Sequence, residues 1–182
     1  GARVRNINIE NGASLSISNN ATLNVYGDWT NNGALNTSNS AVVFRENAQI
    51  LGNTDNTFDN LQIITGKQLT APADTIYIQG DLITNGDLIH NNGVIAFTGP
   101  SAQTISGSSA NLAFHEMIVN KAAEEITLNR NIDISSYLTL PSGIINNSDA
   151  SILKVMYGAD YDKGHETSFV VVRIEKTGNQ PY

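Results

Sequence analysis

Aliphatic residues recur at every second position along most of the chain. They do so in "VRNINIE" (4–10), "ASLSIS" (13–18), "ATLNVY" (21–26), "TIYIQGDLI" (75–83), "EITLNRNIDIS" (125–135) and "YLTL" (137–140). Period-2 alternation places one face of a strand in a core and the other toward water. Between these runs stand short clusters such as "SNN", "TNNG", "TNGD", "HNNG" and "PSG", rich in the residues that tolerate left-handed backbone at sharp corners. The one stretch with a helical aspect, "NLAFHEMIVNKAAEE" (111–125), also alternates through "FHEMIV" and is read as strand. Corners return about every eight residues. In "GASLSISNNATLNVYGD" (12–28), Ala13, Leu15 and Ile17 reappear as Ala21, Leu23 and Val25. One short strand plus one corner consumes such a step, which predicts Leu15, Ile17, Leu23 and Val25 as inward residues and Asn19–Asn20 as the corner between them.

A longer repeat overlies the short one. Residues 25–52 align with 78–107 at an offset of 53, matching Gly27 with Gly80, Asp28 with Asp81, Gly33 with Gly86, Leu35 with Leu88 and Phe44 with Phe97. After one inserted residue Gln49 falls on Gln103, and "TFDNLQI" (57–63) falls on "AFHEMIV" (113–119). The chain therefore holds about two and a half units of 53–57 residues, each built from shorter rungs. Repeats within repeats are the signature of a solenoid, in which each rung buries its apolar side on its neighbours. The predicted fold is all-β: a parallel β-helix (β-solenoid), right-handed, over residues 1–155, followed by a β segment at 156–182 that caps the rod or begins another module. Rungs of roughly 20 to 25 residues stacked ~4.8 Å apart would give a rod on the order of 35 to 45 Å long. Equivalent Asn side chains are expected to stack into hydrogen-bonded ladders. A β-sandwich also fits short strands with frequent turns, but it does not call for matching Gly, Asp, Leu and Phe at a single offset.

Composition narrows the function classes. Of 182 residues 40% are hydrophobic, enough for a sizeable core, while only 15% are charged and 24 are Asn, so neutral polar groups replace charges on the surface. A net charge of −7 with five Lys and five Arg scattered along the chain argues against a nucleic-acid partner, which needs a clustered basic face. No apolar run is long enough to span a bilayer, and no charged-then-apolar leader opens the chain. With no Cys, neither disulfides nor thiolate metal sites hold the protein together.

The ordered series of motifs resembles the repetitive β-helical surface proteins of Bacteroidota, many of them cargo of the type IX secretion system. It is carried by residues 12–15, 23–33, Phe97, 103–107, Phe114, 126–128 and 138–143. The stretch "TSFVVVRIEKTGN" (167–179) is similar to a segment that often follows such repeats, with Val171–Val172 standing where a Gly is common. Asp74-Thr75-Ile76 is similar to the Asp-Ser/Thr-aliphatic site that these bacteria O-glycosylate on exported proteins. The resemblance implies an extracellular, cell-surface, modular protein of adhesive or scaffolding character. Its partners would be other modules of the same protein, glycans or components of the secretion system.

The chain carries few residues that point to chemistry. Asp160, Asp162 and Glu166 surround Gly164 in "GADYDKGHE" (158–166) and are candidate calcium ligands, although the spacing departs from that of a calcium loop and also suits a solvated turn. His90, His115 and His165 lie far apart, without metal-ligand spacing. Asp28 and Asp81, at equivalent repeat positions, are candidates to stack as a carboxylate pair, with Asp87 as a third member of an acidic cluster; each Gly-Asp is also a natural turn. Tyr26, Trp29, Tyr77 and Tyr137 could offer stacking surfaces to a carbohydrate, although Trp29 aligns with Leu82, a core type. No Gly-x-Ser-x-Gly elbow occurs. The reading is a non-catalytic structural and adhesive section of a bacterial surface protein, with no cofactor beyond the calcium candidate. The alternative is a carbohydrate-binding or polysaccharide-degrading β-helix.

Overall fold

The computed structural model describes residues 1–147, 151–171 and 173–178. Its described residues form strands and turns with no helix, and every strand-to-strand pairing is parallel. Each early strand pairs with the third strand after it: Ala2–Val4 with Thr22–Val25, Ile7–Ile9 with Trp29–Asn31, Ser14–Ser16 with Ala34–Asn36. Three strands therefore complete one turn, and the chain coils as a three-sided parallel β-solenoid of about eight turns. Registers such as Leu23↔Val42, Leu61↔Leu82 and Ile105↔Leu128 set the turn length at 19, 21 and 23 residues, close to the length expected from the corner spacing.

The first side stacks Ala2–Val4, Thr22–Val25, Ala41–Phe44, Asn60–Ile63, Leu82–Thr84 and Gln103–Ser106. The second begins with Ile7–Ile9, Trp29–Asn31, Ala48–Gly52, Gln68–Thr70 and Asp87–Ile89. The third contains Asn56–Phe58, Thr75–Ile78 and Val94–Phe97. Two long runs, Ala113–Leu128 and Ile132–Asn147, bend through corners and serve several sides in turn. No described helix is long and apolar enough to cross a membrane.

Alternation explains the core. Val25, Phe44, Leu61, Leu82, Ile105 and Leu128 point inward from the first side and are all fully buried, and such burial is worth roughly 1.5–3 kcal/mol for each large aliphatic or aromatic side chain. Ile17, Leu23 and Val25 are buried and Leu15 packs against the same core, while Asn20 takes φ 58° at the corner, as the eight-residue step predicts. Residues 111–125 lie largely within the strand Ala113–Leu128. Stacking continues past residue 155, where Asp160–Tyr161 pairs with Tyr137 and Leu138, Ser168–Val170 with residues 143–145, and Arg173–Lys176 with Ile152–Val155. Val172 and Asn179, both part of the family likeness, lie outside the described residues.

The 53-residue repeat has a meaning that its alignment does not reveal. Thr22–Val25 and Thr75–Ile78 are eight strands apart in chain order, and eight is not a multiple of three. Equivalent repeat positions therefore fall on different sides: Phe44 on the first, Phe97 on the third. Asp28 precedes a second-side strand and Asp81 a first-side strand, so the two do not stack into a carboxylate pair.

Candidate functional site

The expected Asn ladders take a different form. Asn and Asp side chains bond chiefly to the backbone of the next turn and seldom to one another. Asn6 Oδ1 accepts from the Asp28 amide at 3.1 Å, and Asp28 Oδ1 accepts from the Gln49 amide at 2.9 Å. On another edge Asn60 Oδ1 accepts from the Asp81 amide (2.9 Å) and Asp81 Oδ1 from the Thr104 amide (2.8 Å). Asn32, Asn47, Asn85 and Asn131 serve Asn53, Gln68, Ser108 and Ile152 in the same way. At a corner the chain bends out of ladder geometry and orphans an N–H, which a short side-chain carbonyl from the turn below can satisfy. The preceding glycine makes room: a Cβ at Gly27 would overlap Asn6 Oδ1, and one at Gly80 would stand 2.6 Å from Asn60 Oδ1. Gly27-Asp28 and Gly80-Asp81 are thus one device used on two edges.

A polar groove runs along the edge between the third and first sides. It measures about 420 Å³ and is lined by residues including Asn39, Asp59, Gln79, Asp81 and Ser101. Asp59 Oδ2 accepts from the Ser40 amide at 3.1 Å, so Asp59 and Asp81 each bond the backbone through one carboxylate oxygen. Below the groove, Lys121 is 1% exposed. Its ammonium donates to Gly99 O (2.7 Å), Ser101 O (2.7 Å) and Gln103 Oε1 (2.6 Å), while Gln103 Nε2 donates onward to Ile78 O (3.0 Å) and Gly80 O (2.5 Å). Burial lowers the Lys121 pKa to about 8, against an opposing pull from Glu124.

A second cation stabilises a corner between the first and second sides. Arg130 Nη1 donates to Thr84 O, Thr84 Oγ1 and Ser109 Oγ, and Nη2 donates to Ser109 O, all within 2.9 Å. Thr84 lies 46 residues earlier, so this side chain spans two turns. Desolvation lowers the Arg130 pKa, and Asp87 partly restores it. Neither Lys121 nor Arg130 stands out as structural in the sequence, because each sits among polar residues that read as solvated corner.

The predicted site residues disperse. Trp29 is fully buried, its Nε1 donates to Asn56 Oδ1 at 2.9 Å, and its ring meets Phe58 and Phe44 edge-on at 5.3 and 6.5 Å. It cannot stack on a sugar, which corrects that expectation. Tyr26 lies exposed after a first-side strand and Tyr77 half-buried on the third side, so they form no common platform with Trp29. Tyr137 donates to Asp162 Oδ1 at 3.0 Å, and that bond, followed by desolvation and the charges of Asp162 and Asp160, raises its pKa.

The calcium candidates do not converge. Asp162 uses both carboxylate oxygens within the chain, Oδ2 accepting from the Leu140 amide at 2.8 Å, and Asp160 Oδ1 accepts from the neighbouring Tyr161 amide. Glu166 is exposed in the turn closed by His165 and Ser168. Among the described residues no group of three or more His, Asp or Glu is placed to hold a metal ion. Asp81 lies on a different edge from Asp28, and Asp87, although it belongs to the second side that Asp28 precedes, is three turns further along it.

One association is invisible in the sequence. His90 and His115, on consecutive turns, stack with centroids 5.6 Å apart and planes at 22°. His90 Nδ1 accepts from the Asn92 amide at 3.0 Å, which assigns the ring proton to Nε2 and leaves neither nitrogen of the neutral ring free for a metal. Burial, then the charge of His115, lowers the His90 pKa.

No protein-family model matches the chain, and comparisons with curated proteins and with solved structures produce no match either.

Proposed function

We propose that this chain is a non-catalytic structural and adhesive section of an extracellular bacterial surface protein, a stiff rod that spaces or presents neighbouring modules. The observation that carries the reading is how the polar side chains are used. Asn6, Asp28, Asn60, Asp81 and Asp162 bond the backbone of adjacent turns, and Lys121 and Arg130 bond corner carbonyls. Groups committed to holding turns together lack the freedom that acid–base or nucleophilic work requires. The bacterial surface setting, with export by the type IX route, rests on the likeness of the repeat motifs to Bacteroidota surface proteins.

A second reading is favoured by the groove beside Asp59 and Asp81. Asp59 and Asp81, each bonded to the backbone through one carboxylate oxygen, line that groove among amides and hydroxyls and can bind sugar hydroxyls through the other, which makes a carbohydrate-binding module the alternative. Two assays on the intact rod test both readings. The structural and adhesive reading expects no new reducing ends or unsaturated products from a polysaccharide panel, and turnover there overturns it. On a glycan array, binding that Asp59→Ala and Asp81→Ala abolish supports the binding module, and silence supports the spacer.

A further inference from the structure

The sequence contains four chemically identical Asn-Gly steps, at Asn11-Gly12, Asn32-Gly33, Asn85-Gly86 and Asn92-Gly93. Asn-Gly is intrinsically the dipeptide most open to spontaneous deamidation, since a glycine amide with no side chain to shield it can attack the preceding Asn side chain. In that step the glycine nitrogen forms a bond to Asn Cγ and gives up its proton, the Cγ–Nδ2 bond breaks and ammonia leaves. Water then opens the succinimide to aspartate or isoaspartate. The reaction needs a free glycine N–H, a free Asn side chain and room for the backbone to rotate.

Three of the four steps lack these conditions. The Gly33 amide donates to Asn31 Oδ1 at 3.2 Å, and Asn32 Oδ1 is held by the Asn53 amide at 3.1 Å. The Gly86 amide donates to Ile63 O at 3.1 Å, and Asn85 Oδ1 accepts from both the amide and the hydroxyl of Ser108. The Gly93 amide donates to His90 O at 2.8 Å, the Asn92 amide is tied to His90 Nδ1, and Gly93 is buried against the Pro72 carbonyl. Each rearrangement would have to break inter-turn or corner bonds first.

Asn11-Gly12 differs in every respect. Both residues are exposed, Gly12 has φ +80°, and a Cβ built there meets nothing within 4 Å. The turn is closed by the Ala13 amide donating to Glu10 O at 2.9 Å, which leaves the Gly12 amide without a partner among the described residues. We infer that Asn11 is a built-in deamidation site of the folded rod, and that the solenoid protects the other three Asn-Gly steps. Conversion adds a carboxylate beside Glu10 in the shallow groove shared with Asn8, Asn32, Asn53 and Thr54, and the isoaspartate product lengthens the backbone of that turn by one methylene.

The test is an incubation of the intact protein in mildly alkaline buffer, with tandem mass spectrometry of its tryptic peptides 6–45 and 68–121 at intervals. Modification through local opening follows the free energy of that opening, near zero for exposed turns and larger for bonded corners, so Asn11 should convert about tenfold or more faster than Asn32, Asn85 and Asn92. The same incubation in denaturant should bring the four rates together, and Gly12→Ala should suppress conversion at Asn11 alone. Equal rates in the folded protein, or a stable Asn11 while another step converts, would overturn the inference. So would a folded protein in which none of the four changes while all do in denaturant.

Discussion

Two stretches of the rod solve the same problem with opposite chemistry. Near the beginning, Trp29, Phe44 and Phe58 fill the interior with edge-on aromatic contacts, and the corners are held by short Asn and Asp side chains reaching one turn. Further along, residues 98–102 form a longer corner whose carbonyls at Gly99 and Ser101 turn toward the buried Lys121 ammonium, and Arg130 reaches two turns back to Thr84. Corner length explains the contrast. Three residues, 79–81, lead from the third side to the first in one turn and five, 98–102, in the next. The carbonyls of the longer corner meet a long cationic donor, while Asp81 and Asn85 still close one-turn bonds across the same 23-residue step. Longer corners are thus tolerated where a cation covers the carbonyls they strand.

The comparison can be broken most severely in the aromatic stretch. Trp29→Ala removes the largest buried side chain and leaves Asn56 Oδ1 without its indole donor, and should cost about 3–5 kcal/mol in chemical denaturation. Lys121→Met keeps the volume but orphans three acceptors, with an expected cost of about 3 kcal/mol. That variant also carries the pH test. The folded-state Lys121 pKa is about 8 against an ordinary value of 10.5. Between those values the unfolded chain holds a proton that the folded chain has released, so Lys121 makes stability rise with pH there, by up to about 1.4 kcal/mol per pH unit, and contributes no slope below about pH 8. Subtracting the pH profile of Lys121→Met from that of the natural chain isolates this slope, and identical profiles would refute the buried cation.

A smaller effect separates the corner device from any role in ligand binding. Asp81→Ala leaves the Thr104 amide unpartnered and should cost about 1 kcal/mol, whereas Asp81→Asn, which keeps a carbonyl at the same place, should stay within about 0.5 kcal/mol of the natural chain. The smallest expected change is none: adding calcium or a chelator should leave the calorimetric melting temperature unmoved, because Asp160, Asp162 and Glu166 do not converge. A calcium-dependent rise would restore that site.

Much of the architecture was legible from alternation and corner spacing alone, since one short strand plus one corner is a local unit. Leu15, Ile17, Leu23 and Val25 could be assigned inward without tertiary information, and the match of Trp29 with Leu82 already pointed it to the core. Nonlocal relations were not legible. Nothing in the spacing of Asp28 and Asp81 says that eight strands wind on a three-sided coil. His90 and His115 are 25 residues apart and meet only because consecutive turns superimpose, with a register of 22 at the neighbouring strand, and their intervening sequence has no ligand-like pattern. Lys121 was hidden for a related reason. Its burial depends on where the backbone of residues 99–101 turns its carbonyls, one turn away.

The mismatch between eight strands and three sides also governs what duplication of this unit can build. A feature copied with each repeat moves to a different side of the rod, and regains its original side only after three copies. Growth by duplication therefore winds a repeated surface feature into a spiral. A lengthening rod of this design would present such a feature around its whole circumference, reaching surfaces on every side instead of one.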